Sequence, residues 1–260
     1  MANFHQVKSF IRHWLYEVDD HSVHSPYFFD LYTKIVDKKN RSDIPVLENL
    51  RRDLEANRTV LTIEDFGSGT TKGPGQQRTI GEIARTSLTP YNVAMFYLDL
   101  LYFSESKRIV ELGTSLGLTT LFLAQKKDAM IYTFEGSHAI TNVALTNFEW
   151  AGKKNIQLIE GNIDKTLHQF LEPTDKIDFA LIDANHRYIP TLDYYHQISR
   201  RLKASSIMII DDIHRSEEME KAWKEISQDT LVYGCVDLFR CGILFFDPAL
   251  NKLHYTWSLK

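Results

Sequence analysis

The chain has 260 residues, a formal net charge of -4, 25% charged and 43% hydrophobic residues. This is the composition of an ordinary globular protein with a substantial core, and it gives no overall argument for nucleic-acid binding. Two cysteines do not support a disulfide scaffold or a Cys-rich zinc site, and without a signal segment or a long uncharged run a cytoplasmic location is expected.

Residues 1 to about 57 read as helical and rich in aromatics, among them Phe4, Phe10, Trp14, Tyr27, Phe28 and Tyr32. Core packing or a homodimer surface explains these aromatics better than base stacking. Pro26 suits a first helical turn, with Ser25 as its cap. Val60 to Phe66 is a short strand candidate, and Gly67 to Gly75 is a loop by composition that suits a lid. Lys72, Arg78 and Arg85 on this side would attract a negatively charged acceptor. Helices are predicted over Thr79 to Thr86 and Pro90 to Phe103.

From residue 108 the pattern changes. Apolar runs at 108–112, 130–135, 156–160, 177–182 and 206–211 alternate with helical patterns at about 117–127, 138–151, 164–171, 190–201 and 216–227. Such alternation calls for an α/β fold with a mainly parallel sheet covered on both faces. Two further runs, 230–236 and 241–246, lie too close together for a helical crossover, so this end is expected to be antiparallel. The expected division is an N-terminal region at 1–104, shaping the acceptor side, and a catalytic domain at 105–260.

The most informative stretch is Ile109-Val110-Glu111-Leu112-Gly113-Thr114-Ser115-Leu116-Gly117. An apolar strand ends in an acid, and two glycines four apart bring the backbone close to a ligand before a helix starts. Neither G-x-G-x-x-G nor G-x-x-x-x-G-K-[ST] is present, which argues against a dinucleotide or a nucleoside triphosphate. Glu135 ends the second strand, where an acid can accept hydrogen bonds from both hydroxyls of a ribose. Asp183 ends the fourth and Asp211-Asp212 the fifth. Strand ends converge at the carboxyl edge of such a sheet, so these three carboxylates could surround a hard divalent ion, magnesium or calcium rather than zinc.

These motifs resemble the class I S-adenosylmethionine-dependent methyltransferases, over roughly 105–246, and in detail the catechol and caffeoyl-CoA type of O-methyltransferases. The resemblance implies a Rossmann-like sheet of seven strands in the order 3-2-1-4-5-7-6, with strand 7 antiparallel, plus the helical N-terminal extension. It implies S-adenosylmethionine held by Glu111, Gly113, Thr114, Ser115, Gly117 and Thr119 at the methionine end. Glu135, with Gly136 and Ser137 beside it, would serve the ribose, and Asn162 and Ile163 the adenine; Asp183 could instead orient the cofactor amine or cap the next helix. Asn162 departs from the Asp common in that position. Asp183, Asp211 and Asp212 match a magnesium site, although Asp212 stands where an Asn is usual. Methyl transfer to a small hydroxylated acceptor would then use Asp183 with His186 as base, where relatives more often have Lys, and His214 as the alternative base or ligand. The rival readings are a non-catalytic cofactor-binding module, a nicotinamide oxidoreductase, which would want a third glycine, and an RNA methyltransferase, which would want a basic stripe.

Overall fold

The computed structural model describes residues 4–38, 43–63, 76–172 and 175–259. The glycine-rich lid loop at 67–75, with Lys72, lies outside these described residues. Contacts divide the chain into two compact units, Met1–Asn40 with Thr174–Lys260 and Arg41–Pro173. In the first stretch lie α1 (Phe4–Tyr16) and α2 (Pro26–Leu31), the latter running into a π-helical turn, Tyr32–Val36. Next come α3 (Pro45–Ala56), β1 (Val60–Ile63), β2 (Gln76–Thr79), α4 (Ile80–Ser87) and α5 (Tyr91–Phe103). The alternating part begins with β3 (Arg108–Leu112), α6 (Leu118–Leu123), β4 (Met130–Glu135), α7 (His138–Trp150), β5 (Ile156–Glu160) and α8 (Ile163–Leu171). It continues with β6 (Ile177–Ile182), α9 (Tyr188–Ser199), β7 (Leu202–Asp211), α10 (Glu217–Ile226), β8 (Gly234–Asp237), β9 (Cys241–Phe245) and β10 (Leu253–Thr256).

In the unit Arg41–Pro173, β3, β4 and β5 are parallel, with Leu112 opposite Phe134 and Glu135 opposite Glu160. Parallel strands are covered on both faces, hence the unbroken burial of Ile109 to Leu112. Leu121 and Phe122 of α6 pack into one core with Leu50 of α3, Ile83 of α4, Met95 of α5 and Phe148 of α7. A capping box starts α4: the Thr79 hydroxyl accepts from the Glu82 N–H, and the Glu82 carboxylate from that of Thr79. β1 and β2 form an antiparallel pair, of which β2, the polar run Gln-Gln-Arg-Thr, had no strand signal.

In the unit Met1–Asn40 with Thr174–Lys260, β6 and β7 are parallel, β9 is antiparallel to both β7 and β8, and β10 adds to β8 in parallel. The expected partial orders, 3-2-1 and 4-5-7-6, are therefore found within the respective units, and β10 is an eighth strand beyond the seven expected. Phe28 of α2 is fully buried against Phe245, Tyr255 and Trp257. Gly234 makes room for it, since a Cβ there would lie 2.6 Å from the Phe28 ring. Among the described residues, no helix is long and apolar enough to cross a membrane.

Candidate cofactor cradle and strand-end cluster

The cradle is built by the turn after β3. Gly113 has φ 99, and both its N–H and that of Thr114 donate to the Phe134 carbonyl, at 3.1 and 3.0 Å. Ser115 is left-handed at φ 48, Gly117 at φ 82, and the Gly117 N–H closes the turn on the Thr114 carbonyl. Positive φ at a non-glycine residue is stored strain of the kind that collects at ligand sites. Gly117 is required for a second reason: a Cβ there would lie 2.5 Å from the Phe148 ring.

Two acids brace this turn. The Glu135 carboxylate accepts from the Ser115 N–H on one oxygen and from the Ser137 N–H on the other, both at 2.9 Å. It thereby ties the loop after β3 to the loop after β4, and the Gly161 N–H, after β5, donates to the Glu135 carbonyl at 2.8 Å. Glu111 is fully buried and accepts from the hydroxyls of Thr120 at 2.5 Å and Thr133 at 2.7 Å. Burial, only partly offset by those two bonds, raises its pKa to about 7. Thr114 joins the same network through Thr133, at 2.6 Å. Glu111 thus positions the turn from behind through threonines that carried no signal in the sequence.

The remaining expected cofactor residues of this unit sit on the neighbouring loops. Thr119 lies in the first turn of α6 and donates to the Thr89 hydroxyl at 3.0 Å. Gly136 and Ser137 lead into α7, and the Ser137 hydroxyl is buried without a hydrogen-bond partner. Asn162 caps α8 by accepting from the Asp164 N–H at 2.9 Å, with Ile163 as the first helical residue. Arg78 and Arg85, expected to attract an acceptor, hydrogen-bond within this unit, to Thr86 and to the Glu55 carbonyl.

The strand-end cluster belongs to the other unit. After β6, Asn185 and His186 are both left-handed, at φ 65 and 37, and His186 Nε2 stands 3.5 Å from Asp183 Oδ1. Burial pulls the His186 pKa down to about 4 against the opposing charge of Asp212, with Arg215 and Arg240 adding to the fall. The imidazole is therefore neutral at pH 7. After β7, Asp211 is fully buried and Asp212 is left-handed at φ 56.

The expected magnesium site does not fit these residues. Arg240 donates to Asp211 Oδ2 at 3.0 Å and lies 4.0 Å from Asp212 Oδ1, while Arg215 donates to Asp212 Oδ2 at 3.0 Å. Guanidinium groups already balance the two carboxylates, and among the described residues no group of three or more His, Cys, Asp or Glu could hold a metal. His214, the alternative base, lies in a separate ionic cluster under α1. Its Nε2 is 2.8 Å from Asp237 and its Nδ1 3.6 Å from Glu220, and its ring stacks on Phe239. Burial alone would lower its pKa; the two carboxylates outweigh burial and raise it.

Residues 110–213 match the family model described as a methyltransferase domain. No curated protein matches the chain by sequence. Among solved structures, the Podospora anserina methyltransferase PaMTH1 bound to SAH is similar with a TM-score of 0.56 at 15% identity, over 81% of this chain and 99% of that one. The O-methyltransferase TomG from Streptomyces achromogenes, in complex with SAM, has a TM-score of 0.55 at 16% identity, over 62% and 82%. An O-methyltransferase from Bacillus cereus, in complex with SAH, has 0.54 at 18%, over 62% and 83%. Residues 110–213 thus form a methyltransferase domain, and the chain takes the class I S-adenosylmethionine-dependent methyltransferase fold.

Proposed function

We propose that the protein transfers a methyl group from S-adenosylmethionine to the hydroxyl of a small acceptor. The observation that carries this reading is the brace at Glu135, where one strand-end carboxylate holds the turns after β3 and β4 together, at the position where an acid can meet a ribose diol. A dinucleotide fingerprint is absent from the same turn, which disfavours the nicotinamide alternative. When bound, the cofactor supplies an electrophilic methyl on a sulfonium sulfur. The chain's part is to hold it by Gly113, Ser115, Glu135 and Asn162, with Glu111 as a positioning residue. In this reading His186, which stands beside Asp183, remains the candidate base, although burial weakens it as a base by drawing its pKa to about 4. His214 is given a structural role by its two carboxylate partners, and no divalent metal is assigned. Glu135→Gln removes the charge and turns one of the two accepting oxygens into a donor, so one of the two backbone bonds is lost at a cost of about 1 kcal/mol of stability. Calorimetry with S-adenosylmethionine, under conditions where both proteins are folded, should then read about tenfold weaker binding. Equal affinity in the two proteins would remove the ribose assignment, and no binding to wild type would remove the whole reading.

The reading includes a homodimer through α1, whose orientation is unusual. Its polar side faces the protein: Ser9 and Arg12 donate to Glu220, each at 2.6 Å, and buried His13 lies 3.5 Å from Asp237. Its apolar side faces out, with Phe4 85%, Val7 46%, Ile11 51% and Trp14 65% exposed. Residues 4, 7, 11 and 14 are spaced symmetrically about the middle of the helix. An antiparallel second copy would therefore place Phe4 against Trp14 and Val7 against Ile11, a self-complementary contact. With Leu15, both copies together would bury on the order of 1,000 Å², the size a specific interface must reach. Sedimentation at micromolar concentration should give a dimer for wild type and a monomer for Ile11→Glu/Trp14→Glu. A wild-type monomer that floats with phosphatidylcholine vesicles would assign the face to a membrane surface instead.

A further inference from the structure

The pair Asp211-Asp212 is a place where two like charges sit on consecutive residues, the first of them wholly out of water. Such a pair needs a cation, and the register of the sheet brings one. β7 and β9 run antiparallel with Asp211 opposite Cys241, so the residue before Cys241 emerges beside the end of β7. That residue is Arg240. Its backbone is held twice: its N–H donates to the Leu238 carbonyl at 2.8 Å, and its carbonyl accepts from the Ile213 N–H at 3.1 Å. The tight turn is kept by left-handed Phe239, whose N–H donates to Asp237 Oδ1 at 2.8 Å. The point from which the guanidinium reaches Asp211 is consequently fixed by the backbone.

The fit of that guanidinium is incomplete in an informative way. It reaches Asp211 Oδ2 and approaches Asp212 Oδ1, yet Asp211 Oδ1 is buried with no hydrogen-bond partner. A guanidinium is a planar donor with fixed directions, whereas a divalent ion binds oxygens from many directions. An orphaned carboxylate oxygen beside a cationic group is what remains when a directional cation serves a carboxylate pair. Three left-handed non-glycine residues, Asn185, His186 and Asp212, hold the surrounding turns.

We propose that Arg240 is the resident cation of the Asp211-Asp212 pair, occupying the place of a divalent ion, and that removing its guanidinium turns the pair into a divalent-cation site. The wild-type protein then has a permanently charged, metal-independent centre at this strand end. Arg240 also locks the exit of β7 to the β8–β9 turn. The inference concerns cation binding alone and stands or falls independently of the methyl-transfer reading, since its test needs neither cofactor nor acceptor.

The experiment is a Mn2+ titration of the full chain, purified in EDTA and dialysed, by calorimetry and by thermal unfolding. Wild type, Arg240→Ala, Arg240→Lys, Asp211→Asn and Asp211→Asn/Arg240→Ala are compared. Wild type and Arg240→Lys, which keeps a cation, should show no saturable heat and no thermal shift. Arg240→Ala should bind one Mn2+ with Kd of about 0.1 mM or tighter. At a hundredfold excess over Kd its midpoint should rise by about 5 °C. The double variant should lose both effects. An Arg240→Ala protein that is unfolded in EDTA and folds with Mn2+ gives the same result in another form. The proposal is overturned if Arg240→Ala behaves identically with and without Mn2+, folded or unfolded. It is equally overturned if wild type binds Mn2+ and Asp211→Asn abolishes that binding.

Discussion

Replacing Glu111 with glutamine is expected to remove about 3 kcal/mol of pH-dependent stability from the range between pH 4.5 and 7. The carboxyl has its ordinary value of 4.5 when unfolded and about 7 when buried in the folded chain. Below pH 4.5 it is protonated in both states, and the full stability is present. Between pH 4.5 and 7 the unfolded chain releases this proton while the folded chain keeps it, so stability falls as pH rises, and it levels off above 7. Glutamine cannot titrate. It keeps an oxygen for Thr120 and Thr133 but leaves a buried amide N–H group without a partner, at a cost of about 1–3 kcal/mol. The absolute stabilities at pH 7 therefore lie close together, and the slope carries the test. Urea unfolding of both proteins at pH 5 and pH 8 measures it. Equal changes in the two proteins would mean that Glu111 does not hold its proton in the folded state. Glu111→Ala differs again: two buried hydroxyls lose their acceptor, and the turn after β3 loses its brace.

The second large effect is expected at Gly117. Alanine there must adopt φ near +82, unfavourable for an L residue by about 1–2 kcal/mol. Its Cβ would also stand 2.5 and 2.9 Å from two atoms of the Phe148 ring and 3.2 Å from Ala144 Cβ. Phe148 is itself packed in the core with Leu121 and Phe122, so the ring cannot yield without moving α7. Overpacking of that kind costs about 1–3 kcal/mol, for a total of about 3 kcal/mol. Gly152 is the internal control, with φ +61 and nothing within 4 Å of its Cβ. Gly152→Ala pays the backbone term alone. Matching urea midpoints for the two variants would show that the contact with Phe148 is not tight. Because the Gly117 N–H closes the turn that presents Ser115, the variant should also bind S-adenosylmethionine more weakly than Gly152→Ala does.

The alternating apolar runs were legible because parallel strands buried on both faces need continuous hydrophobic sequence, and β3 to β7 were placed from that signal alone. The strands that escaped notice are short and polar. β2 is Gln-Gln-Arg-Thr and β10 is Leu-His-Tyr-Thr, and each exists because a partner offers a free edge. β7 begins at Leu202, four residues before its apolar run, because Leu202 pairs with Ile177 and the Ser206 hydroxyl bonds the Ile177 carbonyl. Neither feature has a periodic signature.

The candidate site divides in the same way. Glu111, Gly113, Gly117 and Glu135 could be named from local sequence, since a turn between a buried strand and a helix demands glycine, and a strand end that meets a ligand favours an acid. Which groups answer those acids was decided by the tertiary structure. Thr120 and Thr133 reach Glu111 from 9 and 22 residues away, and Arg240 reaches Asp211 from 29. Long-range strand register brings Arg240 to that carboxylate, and so two of the three strand-end acids, Asp211 and Asp212, have arginine partners, while Asp183 lies beside His186. The placement of α1 has the same origin: its aromatics fitted either core packing or a homodimer surface, and His5, Ser9, Arg12 and His13 have charged partners on α10 and β8, which leaves the apolar side outward. Amino-acid order by itself determined the fold class and the turn that can hold a cofactor, because both depend on neighbours in the chain. The charge balance of the strand ends and the face that α1 presents depend on residues brought together from afar, and only folding pairs them.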